Sequence, residues 1–204
     1  GRINDPVQAE QALENRWADL IFMNRALICD PEMPNKAREG RLDEIRKCMG
    51  DSEGCWMRVS QEGNPMGVSC SYNPTVGKET IPGWLELIPA TKKKKVMVIG
   101  GGPAGLETAR VARARGHNVS LWEKDSELGG MVIVAAKAPS REDLGELPRY
   151  YRYQMKMLGV DVHLNSEATM KTVEAENPDV VVVATGSTPI VPSDVEGIAQ
   201  SNVI

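Results

Sequence analysis

Apolar and polar positions along the 204 residues follow two rhythms, separated by a stretch that follows neither. PVQAEQALENRW (6–17) reads as a helix, with Asp5 placed to cap it and Pro6 at the first helical position, where a missing N–H costs nothing. ADLIFM (18–23) is a short, nearly continuous apolar run and predicts a parallel strand buried on both faces. A second helical stretch follows around PNKAREG and RLDEIRKC, so helix, strand and helix make one α/β unit. From Met49 to Ala90, directly after Cys48, glycines, prolines, asparagines and two further cysteines replace periodicity, which predicts a long irregular loop. A loop of that length needs something to organise it, and a bound metal cluster would do so.

After TKKKK, read as a solvated linker rather than a basic patch, the second rhythm begins. VMVIG predicts a strand, GGPAG a turn, LETARVARARG a helix and HNVSLWEK a second strand, a βαβ unit of about thirty residues. Leu144, Leu147, Tyr151, Met155 and Leu158 recur at steps of three and four, the stripe of an amphipathic helix. VDVHL and DVVVVATG predict two more strands, the last apolar enough to lie centrally in a parallel sheet. The fold class is therefore α/β, with a Rossmann-like parallel-sheet domain over 91–204.

Composition narrows what such a fold does here. The 41% of hydrophobic residues suffices for an ordinary core, while a net charge of -4 and a pI near 5.4 give no footprint for nucleic acid or an anionic membrane. No apolar run approaches the ~20 residues of a membrane-spanning helix, and GRINDPVQAEQ lacks a signal-peptide core, so a cytoplasmic protein is expected. Opening at Gly1 without Met and closing on SNVI, the chain reads as a fragment. Cysteines 29, 48, 55 and 70, without a secretory signal, point to reduced or ligating thiols rather than a disulfide framework.

Gly100, Gly102 and Gly105 spell G-x-G-x-x-G between a strand and a helix. Gly100 permits the tight turn, Gly102 leaves room for a pyrophosphate against the backbone, and Gly105 lets the helix pack close to the strand. The helix N-terminus offers N–H groups and a positive dipole end to phosphates. Glu123 ends the next strand 23 residues after Gly100, placed either to accept ribose hydroxyls or as an ordinary strand-end acid; as a ribose ligand it would repel a 2′-phosphate. Leu128-Gly129-Gly130 and the Ala184-Thr185-Gly186 strand end follow. Together these features resemble the FAD-binding half of two-dinucleotide-domain flavoproteins. That resemblance implies FAD or ADP held by Gly100, Gly102, Pro103, Ala104, Gly105, Glu123, Lys124, Gly130, Met131, Thr185 and Gly186.

Read in order, GRINDP, ADLIFMNRALICDPEMP, the spacing of KCMGDSEGC, NPTVGKE and GGPAG resemble the middle of the NADH:flavin oxidoreductase (old yellow enzyme) group with a C-terminal extension, of the 2,4-dienoyl-CoA reductase and trimethylamine dehydrogenase kind. The resemblance implies that 1–47 is the last βα unit of an FMN-binding TIM barrel, 48–90 an iron–sulfur-type loop and linker, and 91–204 an FAD or ADP domain, with 189–204 leading towards an absent NAD(P) domain. It places Arg25 on the FMN phosphate, with Asn24 beside it where the family has a small residue; the other reading pairs Arg25 with Asp30 or Glu32. It also implies a [4Fe–4S] site at Cys48, Cys55 and Cys70, with Asp51 standing where the fourth cysteine belongs.

A carboxylate is a harder ligand than a thiolate, so Asp51 leaves a weak iron ligand, a three-iron cluster or ordinary loop thiols all open. Cys29 fits no ligand spacing and reads as a small buried hydrophobe. His117 and His163 have no ligand partner at useful spacing, and no catalytic residue is assigned. The activity implied is electron transfer from NAD(P)H through FAD and the cluster to FMN, reducing a conjugated double bond such as that of an enoyl thioester, on a small-molecule substrate. The alternatives are an amine dehydrogenase with structural ADP that passes electrons to an electron-transfer flavoprotein, or, for the isolated chain, an inactive nucleotide-binding module. Oligomerisation is left open.

Overall fold

The computed structural model describes residues 2–61, 67–188, 190, 192, 194–198 and 200. Its centre is a four-stranded all-parallel sheet in the order β3-β2-β1-β4, formed by β1 (Lys95–Ile99), β2 (Asn118–Trp122), β3 (Asp161–His163) and β4 (Val180–Val183). The valine-rich strands suit a pleated surface because β-branched side chains pack well on it. Val96 pairs with Val119 and Val98 with Leu121, and these inward positions meet α5 (Pro103–Ala114) and α7 (Glu146–Leu158) in one core. The ladder runs on past the strand ends, with the N–H groups of Gly100, Glu123 and Ala184 donating to the carbonyls of Trp122, His163 and Ile99 at 2.8–2.9 Å.

Chain order sets where a ligand can enter. From β1 the chain moves outward through β2 and β3, then returns to the opposite side of β1 as β4, leaving a topological switch point between β1 and β4 at their carboxyl ends. The expectation of a central β4 is not met: among the described residues its only neighbour is β1, and Val183 is 71% exposed. An edge position explains how a four-valine run comes to show alternating burial. The amphipathic stripe does form α7, which buries Leu147, Tyr151 and Met155 and ends on left-handed Gly159. The short α6 (Met131–Ala135) and α8 (Met170–Glu176) complete the unit.

The N-terminal region is built differently. α1 (Pro6–Glu14) forms as its sequence predicts, with the Asp5 side chain accepting from the Val7 N–H at 2.9 Å. Ala18–Met23 forms no strand; Leu20 and Phe22 are 88% and 90% exposed. A strand needs a partner for its amides, and among the described residues before β1 there is none. The unexpected α2 (Arg25–Cys29) comes first, and the expected helical stretch after it shrinks to α3 (Met33–Arg38) and a 3-10 turn at Leu42–Glu44. Among the described residues the expected irregular segment is interrupted only by α4 (Trp56–Val59). Half of the expected lead-in at 189–204 lies outside the described residues.

This region rests on α7. Arg149 donates to the carbonyls of Asp43 and Ile45, and the Tyr72 hydroxyl to that of Glu146 at 3.0 Å. Tyr72 meets Tyr150 edge-on at 5.8 Å, and the buried Arg46 guanidinium stacks on both rings, 5.5 and 4.9 Å from their centroids. Such aromatic pairs contribute ~0.5–1.5 kcal/mol beyond area burial. Cys29 and Tyr72 thereby join the core of the α/β unit. No helix among the described residues is long and apolar enough to cross a membrane.

Candidate functional site

The glycine-rich turn sits at the switch point, and each glycine has a distinct reason to be there. Gly100 has φ +107°, and an added Cβ would lie 2.3 Å from the Ala184 carbonyl oxygen, so the end of β4 passes directly over the turn. A Cβ on Gly105 would lie 1.9 Å from the Gly100 carbonyl oxygen, which is how α5 comes so close to β1. Gly102, the N-cap of α5, differs: a Cβ there meets nothing within 4 Å. That open space lies at the end of a 12-residue helix whose cap is made by no side chain, so the first-turn amides face outward with the positive end of the dipole.

Glu123 is only 7% exposed, and both its oxygens are engaged: Oε2 accepts from the Gly101 N–H at 2.6 Å and Oε1 from the Asp125 N–H at 2.9 Å. This carboxylate therefore holds the glycine turn in shape, a role its place at a strand end does not reveal. Each oxygen keeps a further lone pair for a hydroxyl. The Gly129 N–H donates to the Gly101 carbonyl at 2.8 Å, and a Cβ on Gly130 would be 3.1 Å from the Gly102 Cα, so the second glycine pair flanks the first. Arg152 of α7 fixes this loop through the Leu128 carbonyl (2.8 Å) and Glu127 (2.7 Å). Pro103 and Ala104 open α5, Lys124 follows the end of β2, Met131 opens α6, Thr185 and Gly186 follow β4, and all six are exposed. Trp122 stacks on His163 at 4.1 Å and His163 meets Asp161 at 3.1 Å, a carboxylate partner that the sequence reading had not given it. His117 accepts from the Lys94 N–H.

The cysteine region forms a second cluster. Arg25 donates to the Ser52 hydroxyl at 2.9 Å rather than pairing with Asp30 or Glu32, and with Asn24 it lines a cavity of about 170 Å³ that also reaches Cys48. Asp30 is instead taken by Lys36 at 2.6 Å. Asp51 accepts from the Ser71 hydroxyl. Cys55 caps α4. Cys29 is more than apolar filler, for it lies in the core cluster against which Cys48 and Cys70 pack. The neighbouring Cys29 thiol pulls the Cys70 thiol down to about 6 against the opposing effect of burial, helped by backbone N–H groups at residues 72 and 73. Proximity to Cys70, with burial added, pushes the Cys29 thiol far up. Burial raises the Cys48 thiol. Among the described residues no three His, Cys, Asp or Glu side chains are arranged to hold a metal ion. With Asp51 tied to Ser71 where a fourth thiol is expected, the residues present do not fit a four-thiolate iron site.

A parallel sheet with a glycine turn, a bare helix N-terminus and a buried strand-end carboxylate at its switch point defines a dinucleotide-binding α/β domain. Sequence comparison gives the family: the profile of the pyridine nucleotide-disulphide oxidoreductases matches residues 94–204, and the chain belongs to that family. An NADH oxidase of Thermoanaerobacter brockii is 38% identical over 203 residues, 99% of this chain and 30% of the relative. Among solved structures, 2-naphthoyl-CoA reductase in complex with 2-naphthoyl-CoA has a TM-score of 0.90 and 42% identity, covering 98% of this chain and 30% of that one. Histamine dehydrogenase from Rhizobium sp. 4-9 has a TM-score of 0.80 and 32% identity, covering 92% and 27%. The chain thus spans about 30% of the length of these relatives, and its relatives include both reductases and amine dehydrogenases, as the motifs implied.

Proposed function

We propose that this chain is the nucleotide-binding segment of a flavin-dependent oxidoreductase, holding the ADP portion of FAD at the switch point between β1 and β4. The observation that carries the reading is the open direction of Gly102 at the N-terminus of α5, beside a Glu123 already locked onto Gly101. A bound FAD would supply two-electron exchange with a nicotinamide nucleotide. The chain's own part is to hold it. First-turn amides of α5 meet the pyrophosphate, Glu123 accepts from ribose hydroxyls, and the Gly129-Gly130 loop, pinned by Arg152, keeps water from the opposite side of the turn.

In the longer protein, Asn24 and Arg25 would meet an FMN phosphate from the cavity beside Cys48, as the FMN reading requires. The likeness to 2-naphthoyl-CoA reductase supports NAD(P)H-driven reduction of a conjugated bond in an acyl thioester; the likeness to histamine dehydrogenase supports the opposite direction, amine oxidation with ADP kept for structure and an external flavoprotein as acceptor. The reductase direction is favoured by the higher identity and TM-score. The finer expectation of a [4Fe–4S] relay is the part the cysteine geometry supports least, and no electron step is routed through it.

The test is calorimetric titration of the protein with FAD and with ADP, for the parent and Gly102→Val. The parent should bind at least one of them and the variant neither, because the valine enters the pyrophosphate's place, with a Cβ that meets no protein atom within 4 Å. Equal binding by both proteins would refute the site. Bleaching of any bound flavin's visible bands by NADPH or NADH under anaerobic conditions favours the reductase direction, and binding of ADP without FAD the amine one.

A further inference from the structure

Neighbouring residues of α7 hold both lips of the nucleotide opening. One lip is the glycine turn with α5: the Tyr151 hydroxyl donates to Glu107 Oε2 at 3.0 Å, and Arg110 grips the same carboxylate through two contacts of 2.7 Å, so α5 is tied to α7 one turn after its start. The other lip is the Leu128–Gly130 loop, which Arg152 holds through the Leu128 carbonyl and Glu127. A bond of 2.8 Å from the Gly129 N–H to the Gly101 carbonyl joins the lips directly. Their spacing therefore depends on where α7 sits.

What holds α7 on its other side is the region before β1. The Tyr72 hydroxyl donates to the Glu146 carbonyl at 3.0 Å, Arg149 reaches the carbonyls of Asp43 at 3.2 Å and Ile45 at 2.7 Å, and Arg46 donates to the Tyr150 hydroxyl at 3.2 Å. Tyr151 belongs to both sets, for its ring lies 6.1 Å from that of Tyr72. The region making these contacts has no strand among its described residues and is held by side chains, such as Asp30 on the Arg46 N–H at 2.8 Å and Asn73 on the Ile28 carbonyl at 3.2 Å. Segments without a backbone ladder are the ones that open at low free-energy cost. The docked state also carries a burden, because the buried Arg46 Nε has no partner there and regains water on opening.

We infer that docking of the region before β1 on α7 sets the affinity of the nucleotide site. Docked, it backs α7 and keeps the two lips at the spacing a pyrophosphate needs; undocked, it leaves α7 unsupported and the lips spread. This rests on the nucleotide reading and adds a regulatory side to it, since whatever loosens the first region weakens binding at the second. Coupling of this kind is reciprocal, so a bound nucleotide must in turn hold the region closed. Tyr151 is the positioning residue between them, with its ring on the docked region and its hydroxyl on α5.

Calorimetric titration with ADP and hydrogen exchange read by mass spectrometry, on the parent and three variants, test the coupling. Arg149→Gln removes the bonds to Asp43 and Ile45 and touches neither lip. It should weaken ADP binding about fivefold or more and, with no nucleotide present, speed exchange in peptides covering 100–105 and 127–131. Tyr151→Phe keeps the ring against Tyr72 but releases Glu107, and should weaken ADP binding and speed exchange at 100–105. Arg113→Gln breaks a 2.9 Å bond from α5 to the Leu158 carbonyl at the far end of α7, and should change neither reading. In the parent, ADP should slow exchange over 42–49. If the parent binds ADP and Arg149→Gln leaves both affinity and lip exchange unchanged, the coupling is wrong while the nucleotide site stands. Equal weakening by Arg113→Gln would reduce the effect to general destabilisation and overturn the proposal as well. A parent that binds neither ADP nor FAD would refute the nucleotide reading itself, and the coupling with it.

Discussion

The α/β unit and the region before it reach order by opposite means. In the sheet, backbone groups satisfy one another, and each strand is specified by its own apolar, β-branched run and by a neighbour present in the chain. Among the described residues before β1 there is no strand, and side chains take over what a ladder would do. Asn4 donates to the Cys48 carbonyl at 2.7 Å, Lys47 pairs with Asp5 at 2.6 Å, and Asn73 reaches Ile28. Local pattern is enough to build a structure whose partners are nearby; where the partners are distant, the pattern says what a segment suits, not what it forms.

The contrast predicts the largest loss where backbone meets backbone inside the α/β unit. Gly105→Ala puts a Cβ at 1.9 Å from the Gly100 carbonyl oxygen, and neither side has a flexible end that can yield. Urea unfolding should show a loss of at least ~3 kcal/mol, at the upper end for overpacking, together with loss of nucleotide binding. A loss under ~1 kcal/mol would mean that α5 can shift off the turn, and the close helix–strand packing would no longer explain the third glycine.

An intermediate effect is expected at the joint between the two regions, where Arg46 lies between the rings of Tyr72 and Tyr150. Arg46→Ala removes that stacking and leaves a cavity, and should cost ~2–3 kcal/mol. Arg46→Met fills much of the space without the unpaired charge, and should stay within ~1 kcal/mol of the parent in the reduced protein, because the charge is itself a burden there. If the two variants are equally destabilised, the guanidinium holds the joint through its charge rather than its packing.

What could be read from the sequence follows the same division. The strand–turn–helix at 95–114, the α7 stripe and the glycine roles were legible because each depends on residues within a few turns of one another. Glu123 was found by its position, but its bond to Gly101 was not, since which atoms a carboxylate engages is decided by the fold of the turn. Cys29 was set aside because ligand spacing counts along the chain, whereas the fold brings it into the core cluster against which Cys48 and Cys70 pack. Arg46 carried no signal beyond its charge. The apolar run at 18–23 misled because an apolar segment states a preference for burial without supplying the surface that buries it.

The smallest effect tests that last point. Phe22 is 90% exposed, beside Leu20 at 88%, in a stretch with no strand pairing. Burial of an aromatic side chain of this size contributes ~1.5–3 kcal/mol relative to exposure, whereas substitutions at exposed positions usually change stability by less than ~0.5 kcal/mol. Phe22→Ser in the present chain should therefore leave the urea midpoint within error of the parent and lower any tendency to associate, because it removes part of an exposed apolar run. In a longer chain that supplies neighbouring strands, the same substitution should cost ~1.5 kcal/mol or more. A large loss in the present chain would place Phe22 in a core, and the 18–23 segment would then belong with the self-sufficient half of the molecule rather than with the half that depends on partners.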